Sequence, residues 1–139
     1  MFREAGLRVR QLVPNLLTID SDDADVVFAG TVNTDGNAVS LVVNAESGLI
    51  DFNAVVGTTT AINDLTISGE DVEFNGNVTA TLDIDMSASD NVLLAADVVL
   101  TADNVLFGAN TNVDGAQSLQ VAATTNAVLG NVGDITPLT

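Results

Sequence analysis

Carboxylates are nearly the only chemically active side chains here, so any chemistry must be theirs. The sequence has no His, Cys, Lys, Tyr or Trp. Asp83 and Asp85 stand two apart in Leu82-Asp83-Ile84-Asp85-Met86. On a strand they share one outer face, where one carboxyl could act as acid and the other as base on a glycosidic bond. With no imidazole, ammonium, phenol or nearby guanidinium to tune the pair or orient a substrate, a solvated strand face is the simpler reading. No enzymatic activity is expected. Ser21-Asp22-Asp23-Ala24-Asp25 is the densest acidic cluster, and Asp22, Asp23 and Asp25 offer the hard oxygens calcium takes. Their spacing fits neither an EF-hand loop nor the glycine-rich calcium nonapeptide of repeat solenoids, so a polar corner competes with a metal site. Glu70-Asp71-Glu73 is a second, weaker cluster. Calcium is the one cofactor to weigh, and nothing in the sequence requires it.

Other motifs carry less. Thr58-Thr59-Thr60, Thr79, Thr81, Thr124 and Thr125 do not recur at one repeat slot, as a threonine array that binds ice would. Gly57 and Gly108 lack the companions of a phosphate loop. Asn77-Val78-Thr79 meets the glycosylation acceptor pattern inside a strand-like stretch.

The elements that position these groups are announced by a repeat. An aliphatic residue, a large apolar residue two positions on and a small residue two further open a strand at Val26/Phe28/Gly30, Ile50/Phe52/Ala54, Val72/Phe74/Gly76, Val92/Leu94/Ala96 and Val105/Phe107/Ala109. Val128/Gly130/Val132 is a degenerate sixth copy. Stacked, near-equivalent rungs produce such recurrence. Phe28, Phe52, Phe74, Leu94 and Phe107 then form a core ladder, with a small residue beside each leaving room. A second strand follows in most rungs: Leu41-Val42-Val43, Leu65-Thr66-Ile67 and Leu119-Gln120-Val121, with Leu82–Met86 similar. From Val72 to Ala102 the even positions are almost all apolar or small, which is strand and not helix periodicity. Asp35-Gly36 and Asp114-Gly115 supply turns, and Ser47-Gly48, Ser68-Gly69 and Ser89-Asp90 mark corners.

The fold expected is an all-β solenoid, a parallel β-helix of about six rungs spanning 16–139. The openings are separated by 24, 22, 20, 13 and 23 residues. The interval of 13 is the main argument for the alternative, a β-sandwich of pilin type. Residues 1–15 read as an N-terminal cap or extension. Phe2, Leu7, Leu12 and Val13 give weak helical spacing there, which Pro14 would stop.

Charge narrows the partners. All three cations, Arg3, Arg8 and Arg10, lie in the first ten residues, and the formal net charge is −16. That excludes a phosphate-reading nucleic-acid surface and disfavours an anionic membrane. No segment is apolar over a bilayer-spanning length, and no secretory signal is visible.

Asp71-Val72-Glu73-Phe74-Asn75-Gly76-Asn77-Val78, Ser40-Leu41-Val42-Val43-Asn44-Ala45 and Val132-Gly133-Asp134-Ile135-Thr136-Pro137-Leu138-Thr139 resemble repeats of large bacterial surface adhesins of the filamentous-haemagglutinin and autotransporter type. The resemblance implies an extracellular or cell-surface β-solenoid serving as stalk, adhesin or matrix fibre, with no catalytic residues to transfer. A glycan or host surface would be its target. The ends suggest more. Leu17-Thr18-Ile19 precedes Val26 as Leu65-Thr66-Ile67 precedes Val72, while 128–139 repeats the start of the 50–65 rung. A chain beginning and ending mid-rung would stack head to tail into a filament. Leu17, Ile19, Val132, Ile135 and Leu138 would meet across that interface, with Arg3, Arg8 and Arg10 docking on an acidic neighbour. The alternative is a calcium- or glycan-binding solenoid module.

Overall fold

The computed structural model describes residues 7–13 and 15–133. Its strands are β1 (Leu7–Val13), β2 (Leu16–Ser21), β3 (Val26–Phe28), β4 (Ser40–Phe52), β5 (Leu65–Phe74), β6 (Val78–Thr79), β7 (Asp83–Met86), β8 (Asn91–Leu94), β9 (Val98–Phe107), β10 (Asn112–Asp114), β11 (Leu119–Val128) and β12 (Asn131–Val132). Every pairing between these strands is parallel except that of β1 with β2. The chain is a β-solenoid of about five turns. Continuous parallel ladders rule out the sandwich alternative.

Each turn crosses three ladders. The first stacks Leu17, Leu41, Leu65, Ile84, Val105 and Ala127 in one column. The second stacks Val26, Ile50, Val72, Val92, Val113 and Val132. The third stacks Val32, Val56, Val78, Leu100 and Val121. Alternation does the sorting. Along β5 buried and half-buried residues alternate from Leu65 to Gly69 and again from Val72 to Phe74, so the aliphatic residues point into the coil. Fully burying a Val, Leu or Ile side chain contributes about 1.5–3 kcal/mol, and these columns repeat that gain at each level.

The aromatic ladder is real but shorter than the sequence suggests. Phe28, Phe52, Phe74 and Leu94 are successive register partners. The Phe28 and Phe52 rings stack at 4.6 Å and 2°, and those of Phe52 and Phe74 at 5.4 Å and 15°. Phe107 does not join them. It lies in the first ladder opposite Met86, whereas the second-ladder partner of Val92 is Val113. The puzzling interval of 13 is thus a change of face and not a short turn. Along the true second-ladder column the spacings are 24, 22, 20, 21 and 19. Val128 is misplaced for the same reason, being the first-ladder partner of Leu106. Leu119-Gln120-Val121, which resembles the first-ladder strands, sits on the third ladder against Val98 to Leu100.

Differences in turn length are absorbed at corners. Asn44 to Leu49 pairs with the shorter stretch Ser68 to Asp71, and the register slips between them. Glu46, at φ 48, takes up the bend. Gly57 shows why a corner needs glycine: its φ is 73, and a Cβ there would lie 2.1 Å from the Thr79 carbonyl oxygen of the next turn.

In the amino-terminal segment the weak helical spacing does not produce a helix. Leu7–Val13 is a strand, not a helix, and runs antiparallel to β2 with Val9 opposite Ile19 and Arg8 opposite Asp20. The reversal passes through Asn15 at φ 84, a left-handed conformation that asparagine tolerates. The period-two set Leu7, Val9, Gln11, Val13 outweighs the weak helical spacing because β2 offers it an open edge.

Candidate functional site: polar columns and an open terminal coil

The outward side chains form columns too, and these account for the suspected catalytic and metal residues. At the start of the second ladder the Asn91 amide donates to Asp71 Oδ1 (2.8 Å), the Asn112 amide to Asn91 Oδ1 (3.2 Å) and the Asn131 amide to Asn112 Oδ1 (3.2 Å). A planar amide carries donor and acceptor on one group, so identical groups one strand apart can chain together. On the first ladder Asn44 donates to Asp20 (2.9 Å), Ser40 to Asp64 (2.7 Å) and Asn104 to Asp83 (2.6 Å).

Four of the acidic groups singled out by sequence, Asp23, Asp25, Asp71 and Asp83, accept hydrogen bonds from the next turn. Asp23 Oδ1 accepts from the Ser47 hydroxyl at 2.7 Å, and Asp25 Oδ1 accepts from the Leu49 N–H at 2.9 Å, both one turn on. Ser21, buried at the same corner, donates to the Ala24 carbonyl (2.7 Å). Asp22 is exposed. No group of three acidic side chains that could hold a metal ion occurs among the described residues, so Asp22, Asp23 and Asp25 do not converge as a calcium site requires. Asp83 is bonded to Asn104, and Asp85 accepts from the Ser87 N–H (2.9 Å). Glu73 accepts from Asn75 (3.2 Å).

Two exposed carboxylates titrate below their ordinary range. The Asn37 side-chain amide, followed by its backbone N–H, stabilises ionised Asp35. The backbone N–H of Ser118, one turn on, followed by its hydroxyl, does the same for Asp97. Both are hydrogen-bond effects on the charged form.

At the amino-terminal turn a shallow groove of about 220 Å³ is walled by Leu17, Val32, Val39, Leu41 and Ile62. Its rim groups are engaged: Asn33 Oδ1 accepts from the Thr59 N–H (3.0 Å), and Thr34 bonds the Ala61 carbonyl (3.4 Å). Asp35, also on the rim, accepts from the Asn37 side-chain amide (2.8 Å).

The two ends of the coil differ. At the amino-terminal end Leu17 and Ile19 are partly buried against the core, and the outer edge of β2 is occupied by β1. The outer edge of β3 on the same turn has no partner among the described residues, and Val27 is exposed there. Arg8 and Arg10 lie in β1, opposite Asp20 and Thr18. Arg3, Ile135 and Leu138 lie outside the described residues. At the carboxyl-terminal end β11 pairs only with β9 and β12 only with β10 among the described residues. Val128, Leu129 and Val132 are 43%, 49% and 44% exposed there.

Sequence reasoning found Val132 but missed Val128 and Leu129 as surface residues. The signal was present: from Gly115 to Gly133 the chain has no charged residue. Among the described residues no helix is long and apolar enough to cross a membrane. No family model, curated protein or solved structure matches the chain.

Proposed function

We propose that this chain is a structural protein: a self-associating β-solenoid segment of a surface stalk or fibre, working outside the cell. The observation that supports it is the make-up of the coil, whose outer face is committed to bonds between turns. Among the described residues the polar columns bind turn to turn and carry no convergent reactive set, and the outer edges of β3, β11 and β12 have no partner. Such an edge is a template for pairing with another chain. The resemblance of Asp71–Val78 and Ser40–Ala45 to adhesin repeats favours the extracellular setting. The acid excess suits it as well, because net charge of one sign keeps free subunits soluble until an edge is matched.

Light scattering and electron microscopy of the purified full chain across concentration test the reading. Assembly is expected to grow with concentration and with salt. Monodisperse particles of 14.2 kDa at every concentration would contradict it.

A further inference from the structure

Asn75 alone among the asparagines is followed by glycine. In an open chain that pair is chemically weak. Glycine has no Cβ to keep its nitrogen away from the neighbouring carboxamide, so the amide nitrogen of Gly76 can attack Cγ of Asn75. The bond from Cγ to Nδ2 breaks, ammonia leaves and a cyclic imide remains. Water then opens the ring at either carbonyl, giving aspartate or isoaspartate. Water is the one co-reactant.

The fold holds the reacting atoms apart. The Asn75 side chain is tied to outward carboxylates of the second ladder: its Nδ2 donates to Glu73 Oε1 at 3.2 Å and to Asp51 Oδ1, one turn back, at 3.3 Å. Its own N–H donates to the Phe52 carbonyl at 3.0 Å. Gly76 is buried, and a Cβ placed on it would lie 3.0 Å from both the nitrogen and Cγ1 of Val55 in the preceding turn. Its backbone is therefore packed too closely to swing toward the Asn75 side chain. The carboxamide is also the group this corner can least lose. Asp51 and Glu73 are register partners, like charges side by side on one ladder, and Asn75 sets a donor between them.

We propose that Asn75-Gly76 is a modification site gated by the fold: unreactive while its turn is stacked on the one before, and converted to aspartate or isoaspartate when the coil opens. Conversion replaces the shared donor by a third carboxylate beside Asp51 and Glu73, in a sequence with no cation from Gln11 to Thr139 to offset it. Isoaspartate also adds one atom to the main chain. That atom falls between two bonds that set the register with the preceding turn, Asn75 N–H to the Phe52 carbonyl and Val56 N–H to the Asn77 carbonyl. Opening thus becomes one-way. A chain open long enough to react does not re-form this corner, and a chain kept stacked is preserved.

The full chain is incubated at neutral pH, folded and in guanidinium chloride, and its peptic peptides are followed by mass spectrometry for the amide-to-acid mass gain. The unfolded chain should convert at Asn75 ahead of every other asparagine. The folded chain should convert at least about tenfold more slowly, because reaction waits on opening. Returned to buffer, converted chains should recover less of the native circular dichroism than unreacted ones. Asn75→Asp, one of the two products, should melt below Asn75→Ala, and the gap should narrow as salt is raised, since the added charge and not the lost amide separates them. Equal rates in the two states, or reaction centred on another asparagine, would overturn the proposal. Asn75→Asp melting level with or above Asn75→Ala, with full recovery of converted chains, would overturn its one-way consequence.

Discussion

Replacing Phe52 by alanine should cost more than replacing Phe107, although the two rings are equally hidden. Phe52 is 1% exposed and Phe107 2%, so loss of buried area and the cavity left behind nearly cancel in the comparison. Each Phe→Ala change in such a core costs about 3–5 kcal/mol. What differs is the company of the rings. Phe52 stacks on Phe28 at 4.6 Å and on Phe74 at 5.4 Å, while Phe107 sits in register with Met86. An aromatic pair adds about 0.5–1.5 kcal/mol beyond its area, so two pairs separate the variants by about 1–3 kcal/mol. Urea denaturation followed by circular dichroism measures the difference. A solenoid is held by neighbour-to-neighbour contacts, so the Phe52 variant should also show a broader transition as the turns on either side uncouple. Equal costs, or a larger one for Phe107→Ala, would refute the assignment of the two rings to different ladders.

Gly57→Ala should destabilise by about 1–3 kcal/mol from its positive φ alone, with more from the Thr79 carbonyl, as thermal melting would register. Asn91→Leu breaks the amide column at both of its bonds, to Asp71 and from Asn112; a loss of about 1–3 kcal/mol is expected in denaturant titration. Asp97 is held below the ordinary carboxylate range by Ser118, so the folded state takes up this proton later than the unfolded chain. Its contribution is present above the unfolded value and lost as pH falls through the lower folded one. Carboxyl chemical shifts should show Asp97 and Asp35 titrating below freely exposed aspartates, and Ser118→Ala should move Asp97 part of the way back. Calcium should leave the melting temperature where chelator leaves it, because the Oδ1 atoms of Asp23 and Asp25 already bind the next turn.

The fold was legible because it repeats. Val26, Ile50, Val72 and Val92 open strands at regular intervals, and period-two alternation from Val72 to Ala102 could belong to nothing but strand. What sequence could not supply was the face each strand occupies. Val105-x-Phe107 and Val72-x-Phe74 look alike because any inward-facing pair in a solenoid wants aliphatic and large side chains. The ladder is decided by how many residues each corner consumes, and corners vary: Asn44 to Leu49 spans more chain than Ser68 to Asp71. β1 was obscured for a different reason. A seven-residue segment with Arg8, Arg10 and Gln11 has little local preference, and its pairing with β2 is a tertiary choice. The acidic clusters left two readings open for a third reason. Carboxylates that bond amides and N–H groups one turn away look, in a linear sequence, like ligands awaiting an ion.

Hydrogen exchange followed by mass spectrometry at two protein concentrations tests the central claim most directly, namely that the chain is one continuous parallel coil that associates through its outer strand edges. Amides of β5, β7, β8 and β9 should be protected at both concentrations, and gains in protection as concentration rises should be confined to the edge strands β1, β3, β11 and β12. No gain in protection at any edge strand, or weak protection throughout the central ladders, would contradict the account.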